Sequence, residues 1–440
     1  MLEPIHRPTA SRRRAGRALV APAAARIVLL LAAVAVLGGC QAPGSTQPTA
    51  TAQARSTVRA VPAGAQGTGP QLGVEAGAHA AFVRRLDVDP ARGLVVTASD
   101  DKTARVWDLQ SGNLRHVLRP AVGGGELGRL YGAAIHPTDD LVAIGGTTGV
   151  RAGEHRILLF SLQTGQLVRA FDARGGDVKK LAWSADGSLL IAVYAGDHAL
   201  RAFDRDGAMI HQQALAGPAY GLAVARDGRV AASSLDGQIT VLSAKQRTVA
   251  PVASFRAPYQ EPVGVAFSPD GSRLAIGFRR TGQAPVIVDA VTGRTVITLA
   301  KQQLTEGTQF TVAWSADGRS VAVGGSGYTA DRRYPVYLHD ASSGRESARH
   351  DVAVDTIFDL VPLPDGRFAY ASADGTWGLV GGPARPVAVT AAIPDLRGPT
   401  YLRVSGDGRR IGWMNAWGRE PTRFEVDRRL VVAADAGPPA

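Results

Sequence analysis

Across 440 residues the chain has one cysteine, Cys40, and that scarcity excludes intrachain disulfides and multi-cysteine metal centres. Lysine occurs only at Lys102, Lys179, Lys180, Lys245 and Lys301, so arginine carries nearly all the positive charge. No basic cluster with interleaved aromatics stands out, and nucleic acid is not an expected partner. The apolar run from Ile27 to Leu37 is too short to span a bilayer comfortably as a helix. No long stretch keeps a helical period, which removes support for a doubly wound α/β fold. Also missing are a His-Glu-x-x-His pair, a P-loop and a Gly-x-Ser-x-Gly elbow. His136, His155, His198, His211, His339 and His350 are scattered without paired spacing, so no metal, cofactor or catalytic residue is expected.

What is present begins with a composition that can bury a core: 45% apolar residues and 20% charged. Much of the net charge of +11 lies at the N-terminus, where six arginines up to Arg26 face a single Glu3. The basic stretch, the apolar run and the small residues Leu37-Gly38-Gly39 have the layout of a secretory signal. From Gln41 to about residue 70 the chain is Gln, Ala, Pro, Gly, Ser and Thr with few large apolar groups. Such a stretch cannot offset the entropy of ordering and reads as a tether.

The remainder repeats. Its most regular element is a short apolar strand closing on a tight turn: Val265 to Gly271, Leu181 to Gly187 and Val312 to Gly318. Weaker copies lie at Leu86 to Pro90, Ala134 to Pro137, Val224 to Gly228, Val361 to Gly366 and Val404 to Gly408, making eight. A second strand and, in most copies, a third follow each turn, so every repeat is a small antiparallel sheet. Repeats of roughly 45 residues with Asp-Gly and Thr-Gly turns predict the blades of an all-β propeller. Eight blades are expected, or seven if one degenerate unit is misread. The last unit lacks an obvious fourth strand, and Gln71-Leu72-Gly73-Val74-Glu75 is expected to supply it and close the ring. The expected division is a signal peptide at 1–39, lipidated Cys and tether at 40–71, propeller at 72–432 and disordered tail at 433–440.

Two family resemblances add to this. Leu37-Gly38-Gly39-Cys40 resembles the bacterial lipobox, which implies that Cys40 is acylated and becomes the first residue of a lipoprotein. Multiple acyl chains make a lasting anchor where one is marginal. By the same resemblance the protein sits in the bacterial cell envelope. The absence of Asp at Gln41 favours the periplasmic face of the outer membrane if the cell is Gram-negative. His79, Ser99, Asp101 and Trp107, the last followed by Asp108, fall at the spacing of the WD40 tetrad. The resemblance implies a WD40-type β-propeller in which Asp101 accepts from His79, His79 bonds Ser99 and Ser99 bonds Trp107, in structural rather than catalytic roles. Residues 72–432 also resemble WD40 regions that follow caspase-like peptidase domains in some bacterial proteins, but no second cysteine exists to carry that activity.

Departures from the repeat suggest where binding occurs. Connections between second and third strands are lengthened at 147–155, 279–284, 326–334 and 416–421, and a blade-to-blade connection is long at 119–130. Both connection types open onto one face of a propeller, and clustered insertions mark a binding surface. The candidate face comprises Arg151, Arg156, Arg279, Arg280, Tyr328, Arg332, Arg333, Tyr334, Trp417 and Arg419, residue types enriched at interface centres. A non-enzymatic, monomeric scaffold binding a protein partner, acidic given these arginines, is the leading expectation. An enzyme or a small-ligand or glycan sensor in the central channel is the alternative, although the first strands read mainly Val, Ala, Leu and Trp. A structural role in outer-membrane assembly is a third. Cys40→Ala is expected to move the protein from the membrane to the soluble fraction; full retention on membranes contradicts the anchor.

Overall fold

A computed structural model describes residues 78–382 apart from 122–124, 150–153 and 303, and beyond them the backbone of the strands Ala388–Val389, Tyr401–Val404, Arg410–Met414 and Thr422–Glu425. Every regular element among the described residues is a β-strand. Seven sheets contain four antiparallel strands each, paired in chain order. Their first strands are Val83–Asp89, Leu130–Ile135, Val178–Trp183, Ala219–Val224, Pro262–Phe267, Gln309–Trp314 and Ile357–Pro362. Each packs against the first strand of the next sheet, and Ile357–Pro362 packs against Val83–Asp89. The sheets are therefore the seven blades of a closed ring.

Burial follows strand position and explains the sequence pattern. Second strands, such as Leu94–Ser99 and Leu190–Tyr194, are buried along their whole length and read as continuous apolar runs. Fourth strands, such as Leu167–Asp172, are largely exposed and mixed in character. The Asp-Gly turns are fixed by their own side chains. Ser184, Ser268 and Ser315 donate to Asp186, Asp270 and Asp317 at 2.5–2.6 Å. The glycines that follow take φ near +70°, a conformation that favours glycine. After the third strands, Asp108, Asp289 and Asp340 each accept two backbone N–H groups and at least one hydroxyl from the next turn. That capping is the physical reason for an Asp at this point of the repeat.

Seven is the lower of the two blade counts that the repeat allowed. The unit beginning near Thr400 forms a separate three-stranded sheet, Tyr401–Val404, Arg410–Met414 and Thr422–Glu425. Blade 7 already has four strands and already touches blade 1, so no gap is left for an eighth blade. The joint is an apolar cluster built from both ends of the ring, including Val83, Leu86, Val95 and Trp107 from blade 1 and Ala369, Ala371, Trp377 and Leu379 from blade 7. Among the described residues, closure is thus made by blades 1 and 7 and does not need the last repeat. Gln71 to Glu75 lies outside the described residues, as do the signal, the tether and the tail.

One irregularity recurs in every blade. The pairing of first and second strands skips the second residue of the first strand, leaving Arg84, Tyr131, Lys179, Tyr220, Val263, Phe310 and Phe358 as bulge residues. The next position is crowded by the neighbouring blade. A Cβ on Gly264 would lie 2.1 Å from the Phe310 carbonyl oxygen, and one on Gly221 would lie 2.3 Å from that of Val263. Gly264→Ala is therefore expected to cost about 1–3 kcal/mol through overpacking. Chemical denaturation measures this, and unchanged stability contradicts the tight blade-to-blade approach.

Candidate interaction face and structural tetrad

All seven bulge residues line one cavity of about 390 Å³ at the mouth of the channel. Glu126 and Arg129 from the connection between blades 1 and 2, Arg279 from blade 5, and Arg85 complete its wall. Inner strands and connecting loops therefore build a single cup. Its cations are held in place: Arg84 donates two hydrogen bonds to Asp100 at 2.9 and 2.6 Å, Arg129 pairs with Glu126 at 2.6 Å, Lys179 with Asp177 at 3.2 Å and Arg279 with Glu261 at 3.2 Å. Aromatic rings support two of them. The Arg84 guanidinium lies 4.6 Å from the Phe358 ring centroid and 4.7 Å from that of Phe82, and the Lys179 ammonium lies 4.5 Å from the Tyr131 centroid.

The loop residues singled out in the sequence fall into separate groups. Arg279 lines the cup, and its neighbour Arg280 donates to Gln260 at 3.1 Å. In blade 6 the rings of Tyr328 and Tyr334 lie 5.6 Å apart, and Arg332 sits 5.2 Å from the Tyr328 ring. The Tyr328 hydroxyl donates to Glu306 at 3.0 Å, and Arg333 donates to the Asp351 carbonyl at 3.4 Å. Arg156 belongs elsewhere, beside Glu154, His155, Asp172 and Arg174. Arg151, Trp417 and Arg419 lie outside the described residues.

In blade 1 a buried chain of hydrogen bonds links the third strand and the second strand to the segment before the first strand and to the turn between strands two and three. Trp107 Nε1 donates to Thr97 Oγ1 at 2.8 Å, Thr97 Oγ1 lies 2.6 Å from His79 Nε2, and His79 Nδ1 lies 2.8 Å from Asp101. Because the Asp101 carboxylate can only accept, His79 donates its Nδ1–H to it, and in the neutral imidazole Nε2 then accepts the Thr97 hydroxyl hydrogen while the indole donates to the same oxygen. The hydroxyl is that of Thr97, not Ser99, which corrects the sequence assignment. Trp107 stands opposite Val95, so Thr97 is its diagonal neighbour, whereas Ser99 lies two residues farther along the strand. Ser99 instead donates to the Ala81 carbonyl at 3.3 Å and accepts the Asp101 N–H at 3.1 Å. Burial alone would raise the Asp101 pKa, but His79 and the Thr103 hydroxyl hold it well below the usual carboxylate range. The family model described as WD domain, G-beta repeat, matches residues 73–108, the segment that contains this chain of hydrogen bonds.

The ring is a WD40-repeat β-propeller. No curated protein matches the chain. Other blades of this WD40 ring keep only parts of the pattern: Ser234 donates to Asp236 at 2.6 Å, Asp374 accepts from Thr376, and Asp197 pairs with Arg201. Apolar clusters between neighbouring blades hold the rest. Among the described residues no three His, Cys, Asp or Glu side chains gather as a metal would require.

Below the cup the WD40 channel carries charges that a reading of its strands as Val, Ala, Leu and Trp overlooked. Lys180 of blade 3 reaches Asp359 of blade 7 at 3.7 Å, an ion pair between non-adjacent blades. Arg85 of blade 1 donates to the Phe358 carbonyl at 3.1 Å, and Asp359 accepts the Leu86 N–H at 3.3 Å. These groups form a polar crossbar between the cup and a second cavity of about 380 Å³, with Arg85 lining both. Asp87, in the lower cavity, accepts the N–H groups of Ile135 at 2.7 Å and Val88 at 2.9 Å. Burial nevertheless raises its pKa to about 6. The signal was present in the paired charges Arg84-Arg85 and Lys179-Lys180 near the start of their strands, and in Asp87 and Asp359 within theirs.

Thr97→Val leaves the buried indole and imidazole nitrogens without their partner and is expected to cost about 1–3 kcal/mol, against roughly 0.5–1.5 kcal/mol for Ser99→Ala. Denaturation curves that reverse this ranking contradict the Thr97 assignment. Asp87 has a folded pKa above its unfolded value near 4, so its contribution to stability is greatest below about pH 4 and is lost as pH rises through 6. The Asp87 carboxyl carbon should titrate near pH 6 by NMR, and a midpoint near 4 contradicts its burial.

Proposed function

We propose that this WD40 propeller is a non-enzymatic scaffold of the bacterial envelope, anchored through lipidated Cys40 and binding a protein partner on its loop-bearing face. The observation that carries the reading is the shared cup, where connecting-loop residues and the bulge residues of all seven inner strands line one cavity. A closed ring makes such a surface rigid, so little ordering entropy is lost on binding. Arg280, Arg332 and Tyr334 extend the same face outward with side chains typical of interface anchors. WD40 propellers generally serve as scaffolds, in agreement with this assignment. The lipobox, signal layout and tether support the envelope location, with the outer membrane favoured.

The channel supports a second reading, a small-ligand sensor, through the partly buried charges Arg85, Asp87 and Lys180 and the buried Asp359 that line it. Photo-crosslinkers at Arg280 and Arg332 in intact cells separate the two, with Asp317 on the opposite face as control. Capture of one specific protein from the first two positions and not from Asp317 is expected. Equal capture from both faces, or none from either, contradicts the scaffold.

A further inference from the structure

We infer that the cup at the channel mouth is a carboxylate-binding site and that it takes an acidic side chain from an extended segment of the partner protein. This rests on the reading of the loop-bearing face as the binding face. The cup places Arg84, Arg85, Arg129, Lys179 and Arg279 around one cavity and presents a single carboxylate, Glu126, among them. Asp100, Asp177 and Glu261 hold three of the cations yet are not part of the cavity wall. Cations therefore face the cup while most of their counter-charges stand behind it. Arg84 spends two of its five donors on Asp100, so the guanidinium retains donors for a second acceptor. The side chains of Arg84, Arg129, Lys179 and Arg279 are 21–50% exposed and accessible to a ligand.

The aromatic residues decide against the opposite charge. A cup lined by Tyr131, Tyr220, Phe310 and Phe358 could act as a cage for an incoming cation. Here Phe82 and Phe358 already stack on Arg84, and Tyr131 already receives Lys179. The rings serve to position the protein's own cations. The backing carboxylates also limit the net field, which suits a singly charged carboxylate better than a doubly charged phosphate. Tyr220, Val263 and Phe310 give the cup an apolar side against which the methylenes of a Glu residue can pack. At about 390 Å³ the space fits one or two side chains rather than a folded element.

The test uses the full chain in detergent and isothermal titration calorimetry with the probe peptide acetyl-Glu-Glu-Glu-Glu-amide. Its all-Gln counterpart and inorganic phosphate are the comparisons. Binding of the Glu peptide, at least tenfold weaker binding of the Gln peptide, and at least a tenfold loss in the double variant Arg129→Gln with Lys179→Gln are expected. Arg319→Gln on the opposite face should change affinity less than twofold, and near-UV circular dichroism verifies the fold of each variant. If the double variant is misfolded, the single variant Arg279→Gln replaces it, with a threefold or greater loss expected. Equal affinity for both peptides, an unaffected variant, or binding of phosphate with no binding of the Glu peptide overturns the inference. Capture of a protein partner at Arg332 together with failure of the Glu peptide removes the carboxylate site and leaves the scaffold standing.

Discussion

The contact of blade 7 with blade 1 is the constraint on which the rest of the molecule depends. Each blade hides one face on its predecessor and the other on its successor, so an open ring would expose two apolar faces and unpaired strand edges. The closing contact joins segments 273 residues apart, exemplified by Arg85 donating to the Phe358 carbonyl. Its apolar part centres on Trp107 and Trp377, whose rings lie 5.8 Å apart and which are each 1% exposed. Trp107 serves two purposes there. Its ring fills the joint, and its Nε1 anchors the hydrogen-bond chain through Thr97 and His79 to Asp101. The most complete WD40 pattern in the chain therefore stands in a blade that must also complete the ring.

Closure fixes the positions of the inner strands, and their repeated bulge turns that geometry into a surface. A regular strand would alternate its side chains toward the neighbouring blades. Skipping one residue near the start of each first strand releases a side chain to the channel mouth, and seven such releases form the wall of the cup. Lower down, the Lys180–Asp359 pair ties blades that do not touch as neighbours. A partly buried ion pair of this kind contributes little net stability, but breaking it would leave a buried charge unpaired. It divides the channel into an upper cup and a lower chamber.

Much of this architecture is legible in the chain. Asp-Gly turns such as Asp270-Gly271 and the Asp after Trp107 mark local structure because their side chains satisfy nearby backbone groups. His79, Asp101 and Trp107 are identifiable because their spacing is set by one blade. What escapes is non-local or depends on strand register. Val404 to Gly408 looks like the other strand-and-turn units, yet nothing within it tells whether the ring has already closed. Ser99 and Thr97 are both hydroxyl residues on one strand, and only the pairing of Val95 with Trp107 selects Thr97. The approach of Lys180 to Asp359 follows from ring curvature. Of the loop residues expected on a binding face, Arg279 lines the cup, while Arg84, Arg129 and Lys179 are added by the inner-strand bulges and the connection that leads into blade 2.

Blade 7 closes directly on blade 1. A double-mutant cycle with Trp107→Phe and Trp377→Phe, read by chemical denaturation of the full chain, tests this contact most directly. Direct packing of the two rings predicts a coupling of about 0.5–1.5 kcal/mol. Additivity within about 0.3 kcal/mol would contradict closure through this pair.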